Sequence, residues 1–308
     1  MSNLRMLYIK LTIAYDGTDF HGWQRQPGLR TIQQTLEDAI LALTQARPRM
    51  TASSRTDAGV HALGQVVHFH TPSRHRPEII LKALNALLPR DLRVLEVRDM
   101  PQAFHATLDA TSKRYRYVID DGPIASPFHL RYSWQVLRRL DIEAMNRAGA
   151  VLVGRHDFRS FETDWPNRTS SVRTILELVV TRSDDMVWLE VEADGFLYNM
   201  VRAIAGTLAW VGSGKRPESW VGDVLRAEKR VEAGPTAPPR GRSALVDQFD
   251  RTEPVEQGVD DPVPVRRVPR ADTESQRTLG EAVTEVSRER PHALRAVEDS
   301  LADAELPR

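Results

Sequence analysis

The alternation of apolar and polar residues predicts strands and helices up to about residue 250 of the 308-residue chain. A period of two with β-branched residues predicts a strand, and apolar residues recurring every three or four positions predict a helix. The predicted strands are Leu7–Ala14, Gln65–Thr71, Leu92–Val97, Arg114–Ile119, Val172–Thr181 and Met186–Glu192. The predicted helices begin at Thr31 and Pro77 and span Asp141–Leu152, Phe196–Val211 and Trp220–Val231.

Local residues support several of these elements. Thr31 and Gln34 have the spacing of a capping box, and Pro77 is suited to the first turn of a helix. In the helix that begins at Thr31, Ile32, Leu36, Ile40 and Leu43 fall on one face, and in the helix that begins at Pro77, Ile80, Leu84 and Leu87 follow at helical spacing. Helices and antiparallel hairpins in two successive sets predict an α+β fold. We expect an N-terminal α+β half over 1–110, a C-terminal α+β half over 111–250 and a separate tail over 251–308.

The tail differs from the remainder in charge and composition. The whole chain holds 42 basic and 42 acidic residues, but residues 251–308 carry a net charge of −4 and the rest carries +4. Prolines among charges in Glu253–Arg270 are typical of a linker. We expect the tail to be disordered or marginally ordered. The mildly basic body is weak support for a polyanionic partner.

Composition narrows the class of protein. Hydrophobic residues make up 41% of the chain, enough for a core, yet charge interrupts every apolar run before the ~18 residues that a membrane span needs. The segment Met1–Lys10 lacks a signal-peptide pattern, so we expect a cytoplasmic location. The absence of cysteine excludes disulfides, thiolate nucleophiles and Cys-ligated metal sites.

The segment Ser53–Thr71 is the most informative for chemistry. Asp57 falls in a turn before a strand, and Ala58 and Gly59 leave its carboxylate open to close approach. Taken alone, the aspartate of such a turn more often only hydrogen-bonds its own backbone. The pattern by itself leaves both interpretations open.

A wider set of motifs resembles the tRNA pseudouridine synthase A family. The matching pieces run in order over most of the body of the chain. They are Tyr15–Gly17, Phe20–Gln26, Thr31–Gln33, Arg55–Ala62, Gly64–Phe69, Asn85 with Leu88–Pro89, Phe104–Ala106, Lys113–Tyr117, His156–Phe158, Ser160–Phe161, Phe196–Arg202 and Ala233–Pro239. So many ordered matches are far more specific than one short motif.

The resemblance implies roles for four residues. Asp57 matches the catalytic aspartate, acting as nucleophile or base, and Arg202 matches the arginine that pairs with it. Tyr115 matches the ring that stacks on the target uracil, and Arg55 matches a basic residue that engages RNA and helps to turn the nucleotide out. Arginines 25, 55, 114 and 116 are candidates for phosphate contacts.

The resemblance also implies a fold, a reaction and partners. It implies the pseudouridine synthase fold, with two similar halves of antiparallel and mixed sheets flanked by helices around a central cleft. The implied activity is isomerisation of uridine to pseudouridine at positions 38, 39 and 40 in the anticodon stem-loop of tRNA. The implied partners are tRNA and a second copy of the chain in a homodimer, with no metal and no other cofactor.

Two departures from the family pattern bear on these expectations. Ser54 stands where the family usually has glycine, which predicts only a modest change of the turn. After Pro239 the usual final strand is not obvious. Ala244–Phe249 is the candidate for it. Without this strand the second half would lose a member of its sheet, which would affect its stability and the placement of Arg202.

Other interpretations remain open from sequence. Tyr115 and Tyr117 alternate on one strand and suit a core, and Arg202 suits a helix surface. An inactive RNA-binding module on the same fold is one alternative function. A metal-dependent hydrolase using His61, His68 and His70 is another, although a third or fourth ligand for the pair His68 and His70 is not evident.

Overall fold

The computed structural model describes residues 5–73, 75–163 and 170–249. These residues form ten strands: β1 (Arg5–Tyr15), β2 (Thr51–Ala52), β3 (His61–Ser73), β4 (Leu92–Asp99), β5 (Ala110–Asp120), β6 (Trp134–Gln135), β7 (Gly154–Asp157), β8 (Val172–Ser183), β9 (Met186–Ala193) and β10 (Arg242–Phe249). The same residues form five α-helices: α1 (Ile32–Thr44), α2 (Pro77–Leu87), α3 (Ile142–Gly149), α4 (Met200–Gly212) and α5 (Trp220–Ala227). The predicted α+β class is therefore confirmed.

The strands share one mixed sheet. Its order is β4-β1-β3-β10-β5-β9-β8-β7, with β2 beside β3 and β6 beside β5. Neighbours are antiparallel except for two parallel pairs, β10 with β3 and β5 with β6. The predicted final strand at Ala244–Phe249 is confirmed as part of β10, which lies between strands of the first and second predicted halves.

The helix boundaries follow local backbone geometry. The Thr31 hydroxyl accepts the Gln34 N–H at 3.4 Å, so the predicted N-cap of α1 is confirmed. Helix α4 begins at Met200 rather than at Phe196, because Asn199 adopts φ 60°. Helix α5 ends at Ala227 rather than at Val231, because Glu228 adopts φ 50°.

The core confirms most of the predicted inward positions. Ile32, Leu36 and Ile40 of α1 are buried, as are Ile80 and Leu84 of α2. The last position of the α2 pattern is wrong, because Leu87 is 51% exposed at the end of the helix. Alternation along β5 buries Tyr115 and Tyr117 on one face of the strand.

The predicted tail over 251–308 lies outside the described residues. Among the helices that the structure describes, none is long and apolar enough to cross a membrane.

Candidate active site

A cavity of about 610 Å³ gathers most of the residues singled out from sequence. Asp57, Arg55 and Tyr115 all line it. The other lining residues are Thr107, Lys113 and segments from three further places: Trp23, Gln24 and Gln33 around the start of α1, residues 49–54 before the Asp57 turn, and residues 196–199 before α4. Segments far apart in the chain therefore meet around the predicted catalytic carboxylate.

Asp57 lies in the loop 53–60 that joins β2 to β3, and its side chain is half-buried. The Asp57 carbonyl accepts the Val60 N–H at 3.2 Å, and Gly59 adopts φ 76°, which closes a tight turn. This turn directs the Asp57 side chain to the cavity wall. The carboxylate is therefore accessible from the cavity, and the turn fixes the backbone that carries it.

The segment before α1 holds this loop through main-chain contacts. Trp23 N donates to Thr56 O at 2.9 Å, and Gly59 N donates to Phe20 O at 3.3 Å. Gly22, with φ 81°, packs so closely that an added Cβ would lie 2.7 Å from Thr56 O. Only glycine fits that backbone angle and that distance without strain. The Phe20–Trp23 motif therefore positions the loop of Asp57.

A buried hydrogen-bond network holds the loop from the sheet side. The Tyr15 hydroxyl donates to Gln65 Oε1 at 2.6 Å and lies 2.7 Å from Thr56 Oγ1. Gln65 Nε2 in turn donates to Ser54 O at 3.1 Å. Tyr15, Thr56 and Gln65 are each less than 5% exposed. Because Thr56 and Ser54 flank Arg55 and precede Asp57, the network fixes the backbone that carries both side chains.

Tyr15→Phe is expected to lower kcat by about tenfold to a hundredfold with little change in KM, because a small displacement of a reacting group is costly. It should also reduce the free energy of unfolding by about 1–3 kcal/mol, since Gln65 and Thr56 lose a buried partner. Steady-state kinetics and urea titration measure both effects. Tyr8→Phe, on the same strand, is the matched control. An unchanged kcat in Tyr15→Phe would show that the network does not position Asp57.

Tyr115 is both packed and accessible from the cavity. Its ring meets Phe196 edge-on, with centroids 5.0 Å apart and planes at 89°. Its hydroxyl donates to Ser54 Oγ at 3.3 Å. Ser54, the departure from the family's glycine, thus supplies an acceptor that glycine lacks. The core interpretation and the base-stacking interpretation are both compatible with this position, because the buried ring also lines the cavity.

The two predicted arginines occupy different surroundings. Arg55 is exposed at the cavity wall. Arg202, in the first turn of α4, donates from Nε to Ala237 O at 2.6 Å and from Nη1 to Asn199 Oδ1 at 2.8 Å. Asn199 itself lines the cavity, so Arg202 is connected to the site through that side chain. Pairing of Arg202 with Asp57 stays a prediction.

Charged residues on β5 divide between its two faces. Lys113 lies on the same face as Tyr115, lines the cavity and donates from Nζ to Ser53 O at 2.7 Å. Arg114 contacts Glu177, Glu190 and Glu192 on the opposite face, and Arg116 contacts Glu190 there. Because alternate residues of a strand point to opposite faces, Arg114 and Arg116 lie away from the face that carries Tyr115.

Sequence reasoning missed Arg49, which is exposed and lines the cavity. Within the described part of the chain, neither Arg49 nor Arg55 forms an ion pair, whereas Arg25 is paired with Glu37 at 3.2 Å. Arg49 precedes β2 outside every matching motif, so only its position in the fold identifies it. Two unpaired guanidinium groups at one cavity suit an anionic ligand.

The three histidines of the metal alternative do not converge. His61 Nδ1 lies 3.1 Å from Asp16 Oδ1, whereas His68 packs against His105 and His70 against Tyr8. Burial lowers the pKa of His68, and the charges of His105 and His70 lower it further. In residues 5–73, 75–163 and 170–249, no three His, Asp or Glu side chains form a group suited to a metal ion.

Comparison with known proteins gives a consistent result. A model of the tRNA pseudouridine synthase family matches residues 11–109 and 148–249. A tRNA pseudouridine synthase A of Thermoanaerobacter sp. (strain X514) is 42% identical over 236 residues, 77% of this chain and 97% of that protein. The protein of the same name from Halalkalibacterium halodurans is 44% identical over 237 residues, 77% of this chain and 90% of that protein.

A third protein named tRNA pseudouridine synthase A, from Methylococcus capsulatus, is 44% identical over 233 residues, 76% of this chain and 86% of that protein. A solved Cbf5-Nop10-Gar1 complex is 11% identical, with a TM-score of 0.30, over 76% of this chain and 70% of that one. The family match spans both the loop of Asp57 and the segment of Arg202, and the relatives align over nearly their whole length. The chain therefore belongs to the tRNA pseudouridine synthase family.

Proposed function

We propose that this protein isomerises uridine to pseudouridine at positions 38, 39 and 40 in the anticodon stem-loop of tRNA, with Asp57 as the catalytic nucleophile or base. The observation that carries the proposal is the shared cavity of Asp57 and Tyr115. One cavity thus presents a carboxylate for the chemistry and an aromatic ring for the base. Membership of the family supports the reaction and the class of RNA.

The reaction suits these side chains. It breaks the bond between ribose C1′ and N1, forms one between C1′ and C5, and releases the C5 proton while N1 takes one up. No electron or external group is consumed, so an ionised carboxylate suffices as nucleophile or base. Arg202 is proposed to pair with the Asp57 carboxylate and so to neutralise its charge in the site.

The target base must leave its stack before the carboxylate can reach the glycosidic bond. Tyr115 is proposed to stack on the uracil, an interaction worth about 1–3 kcal/mol per base. Arg55, exposed beside Asp57, is proposed to contact the backbone of the nucleotide that is turned out. The protein is proposed to act as a homodimer in the cytoplasm, with tRNA as its partner.

Tritium release is the direct test of this proposal. Full-length protein incubated with tRNA labelled at C5 of uridine should release tritium in proportion to pseudouridine formed, in the presence of EDTA as in its absence. Mapping of pseudouridine in tRNA from cells with and without the protein then locates the sites. An inactive binding module would retain tRNA without release, and a metal-dependent hydrolase would lose its activity in EDTA.

Arg49→Gln and Arg55→Gln should each reduce the magnitude of the slope of log affinity against log salt concentration by about 0.7–1, because each guanidinium is expected to neutralise one phosphate. Filter binding of tRNA across salt concentrations measures the slope. Arg147→Gln is the matched control, since Arg147 is an exposed arginine paired with Glu218 at 2.8 Å. Slopes equal to that of the wild type would show that neither arginine contacts a phosphate of the RNA.

A further inference from the structure

A chain of side-chain amides runs from a buried carboxylate to the wall of the cavity. Gln33 Nε2 donates to Glu37 Oε1 at 2.9 Å. Gln33 Oε1 accepts the Arg25 backbone N–H at 3.1 Å and Gln24 Nε2 at 3.0 Å. Glu37 is 5% exposed, whereas Gln24 is exposed and lines the cavity together with Gln33. This series of hydrogen bonds therefore connects the buried face of α1 to the cavity.

The direction of each hydrogen bond in this chain is determined by its two fixed ends. Glu37 Oε2 accepts from Arg25 Nη1 at 3.2 Å and forms an ion pair with Arg47 at 3.7 Å, so the carboxylate is ionised and is an acceptor for Gln33 Nε2. The Arg25 backbone N–H is only a donor, so the atom of Gln33 that faces it is Oε1. Gln24 must then present Nε2 to Gln33. A rotation of the Gln24 amide by half a turn would place two oxygens against each other.

This orientation leaves Gln24 Oε1 as an acceptor. Within the described residues, this oxygen has no hydrogen-bond donor. Its position is tied to the catalytic loop, because Trp23 N donates to Thr56 O at 2.9 Å and Gln24 and Asp57 are the next residues of the two segments. An oriented acceptor thus lines the same cavity as Asp57.

We propose that Gln24 Oε1 accepts the N3–H of the target uracil and so selects uracil against cytosine. The inference rests on the proposed function and names the group that recognises its substrate. N3 of uracil carries a hydrogen, whereas N3 of cytosine is an acceptor. Cytosine in the same position would place its N3 acceptor against Gln24 Oε1. The Gln24 amide cannot turn to donate instead without losing its hydrogen bond to Gln33 Oε1. Flipped bases are commonly read through this edge.

The test compares wild type, Gln24→Ala and Gln26→Ala on two full-length tRNAs that carry uridine or N3-methyluridine at one unpaired target site. Gln26 is a suitable control because it is exposed on the same segment and donates to His21 O at 3.1 Å. Single-turnover tritium release gives the rate on each RNA. Differences between the two RNAs in folding or stacking are the same for all three proteins, so only the change in the rate ratio is attributed to residue 24.

N3-methylation should slow wild type and Gln26→Ala by about tenfold or more, the effect of one hydrogen bond, and Gln24→Ala by about threefold or less. Gln24→Ala should itself be about tenfold slower than wild type on uridine. An equal methylation effect in all three proteins would overturn the inference.

Binding separates this inference from the proposed function. The dissociation constants of the same proteins are measured for tRNAs with uridine, N3-methyluridine or cytidine at the site. Wild type and Gln26→Ala should prefer uridine, and Gln24→Ala should lose the preference. Absence of tritium release by wild type would refute the proposed function, whereas absence of any binding preference in wild type would refute base selection by Gln24.

Discussion

Asp57→Asn is expected to reduce tritium release from C5-labelled tRNA by at least about a thousandfold, because asparagine retains the size of the side chain but is neither a base nor an anionic nucleophile. The affinity for tRNA should change little, since the contacts of Arg49, Arg55 and Tyr115 remain. The measurement is single-turnover release at saturating protein. This is the largest effect on activity that the site predicts.

Asp19→Asn is the control for that experiment. Asp19 is exposed in the neighbouring segment and is absent from the lining of the cavity. Thermal unfolding of both variants should match wild type, which separates chemistry from folding. If folded Asp57→Asn isomerised uridine at the normal rate, the carboxylate would have no chemical role, and the proposed mechanism would be excluded.

Gly206→Ala is expected to produce the largest loss of stability, about 3 kcal/mol. Gly206 lies in α4 against the segment 233–237, and an added Cβ would lie 1.8 Å from Pro235 O. That segment is fixed to the helix by Gly234 N to Thr207 Oγ1 at 3.0 Å and by Ala237 N to Arg202 O at 3.1 Å. The methyl group would therefore have to separate the segment from the helix. Urea unfolding measures the loss.

Gly222→Ala provides a matched control with the opposite expected sign. Gly222 also lies in a helix, but its added Cβ would have only Arg226 Nη1 nearby, at 3.5 Å. Alanine there should stabilise the protein by about 0.4–1 kcal/mol, because the unfolded chain loses conformational freedom. Equal unfolding midpoints for the two variants would show that close packing at Gly206 does not determine the effect of alanine on stability there.

The elements of the fold were accessible from sequence because their periodicity is local. Strand β1, helix α1 and the hairpin of β8 and β9 all lie within a few residues of their predicted places. The errors are element ends set by the backbone, together with the short strands β2, β6 and β7, which the residue pattern does not predict. The start of α4 depends on the left-handed conformation of Asn199, and apolar periodicity carries no information about that backbone angle.

The site was less accessible, because its parts meet only in three dimensions. The loop of Asp57 was identified from its small neighbours and its motif. Arg49 lies outside every matching motif. Gln24 and Gln33 lie within two of them, but the motifs do not show that the two amides meet at the cavity. The glutamates that surround Arg114 come from β8 and β9, more than sixty residues away in sequence. The sequence alone therefore did not show that Arg114 is ion-paired rather than available for a phosphate.

The central place of β10 has a consequence for the order of assembly. The ribosome delivers residues 242–249 after all other described strands, yet this strand pairs with His61 and Ala62 of β3 on one side and with β5 on the other. Until it emerges, those edges of β3 and β5 stay open, and an open strand edge is a template for mispairing between nascent chains. Such late closure across distant segments favours slow folding and gives chaperones a defined interval in which to act.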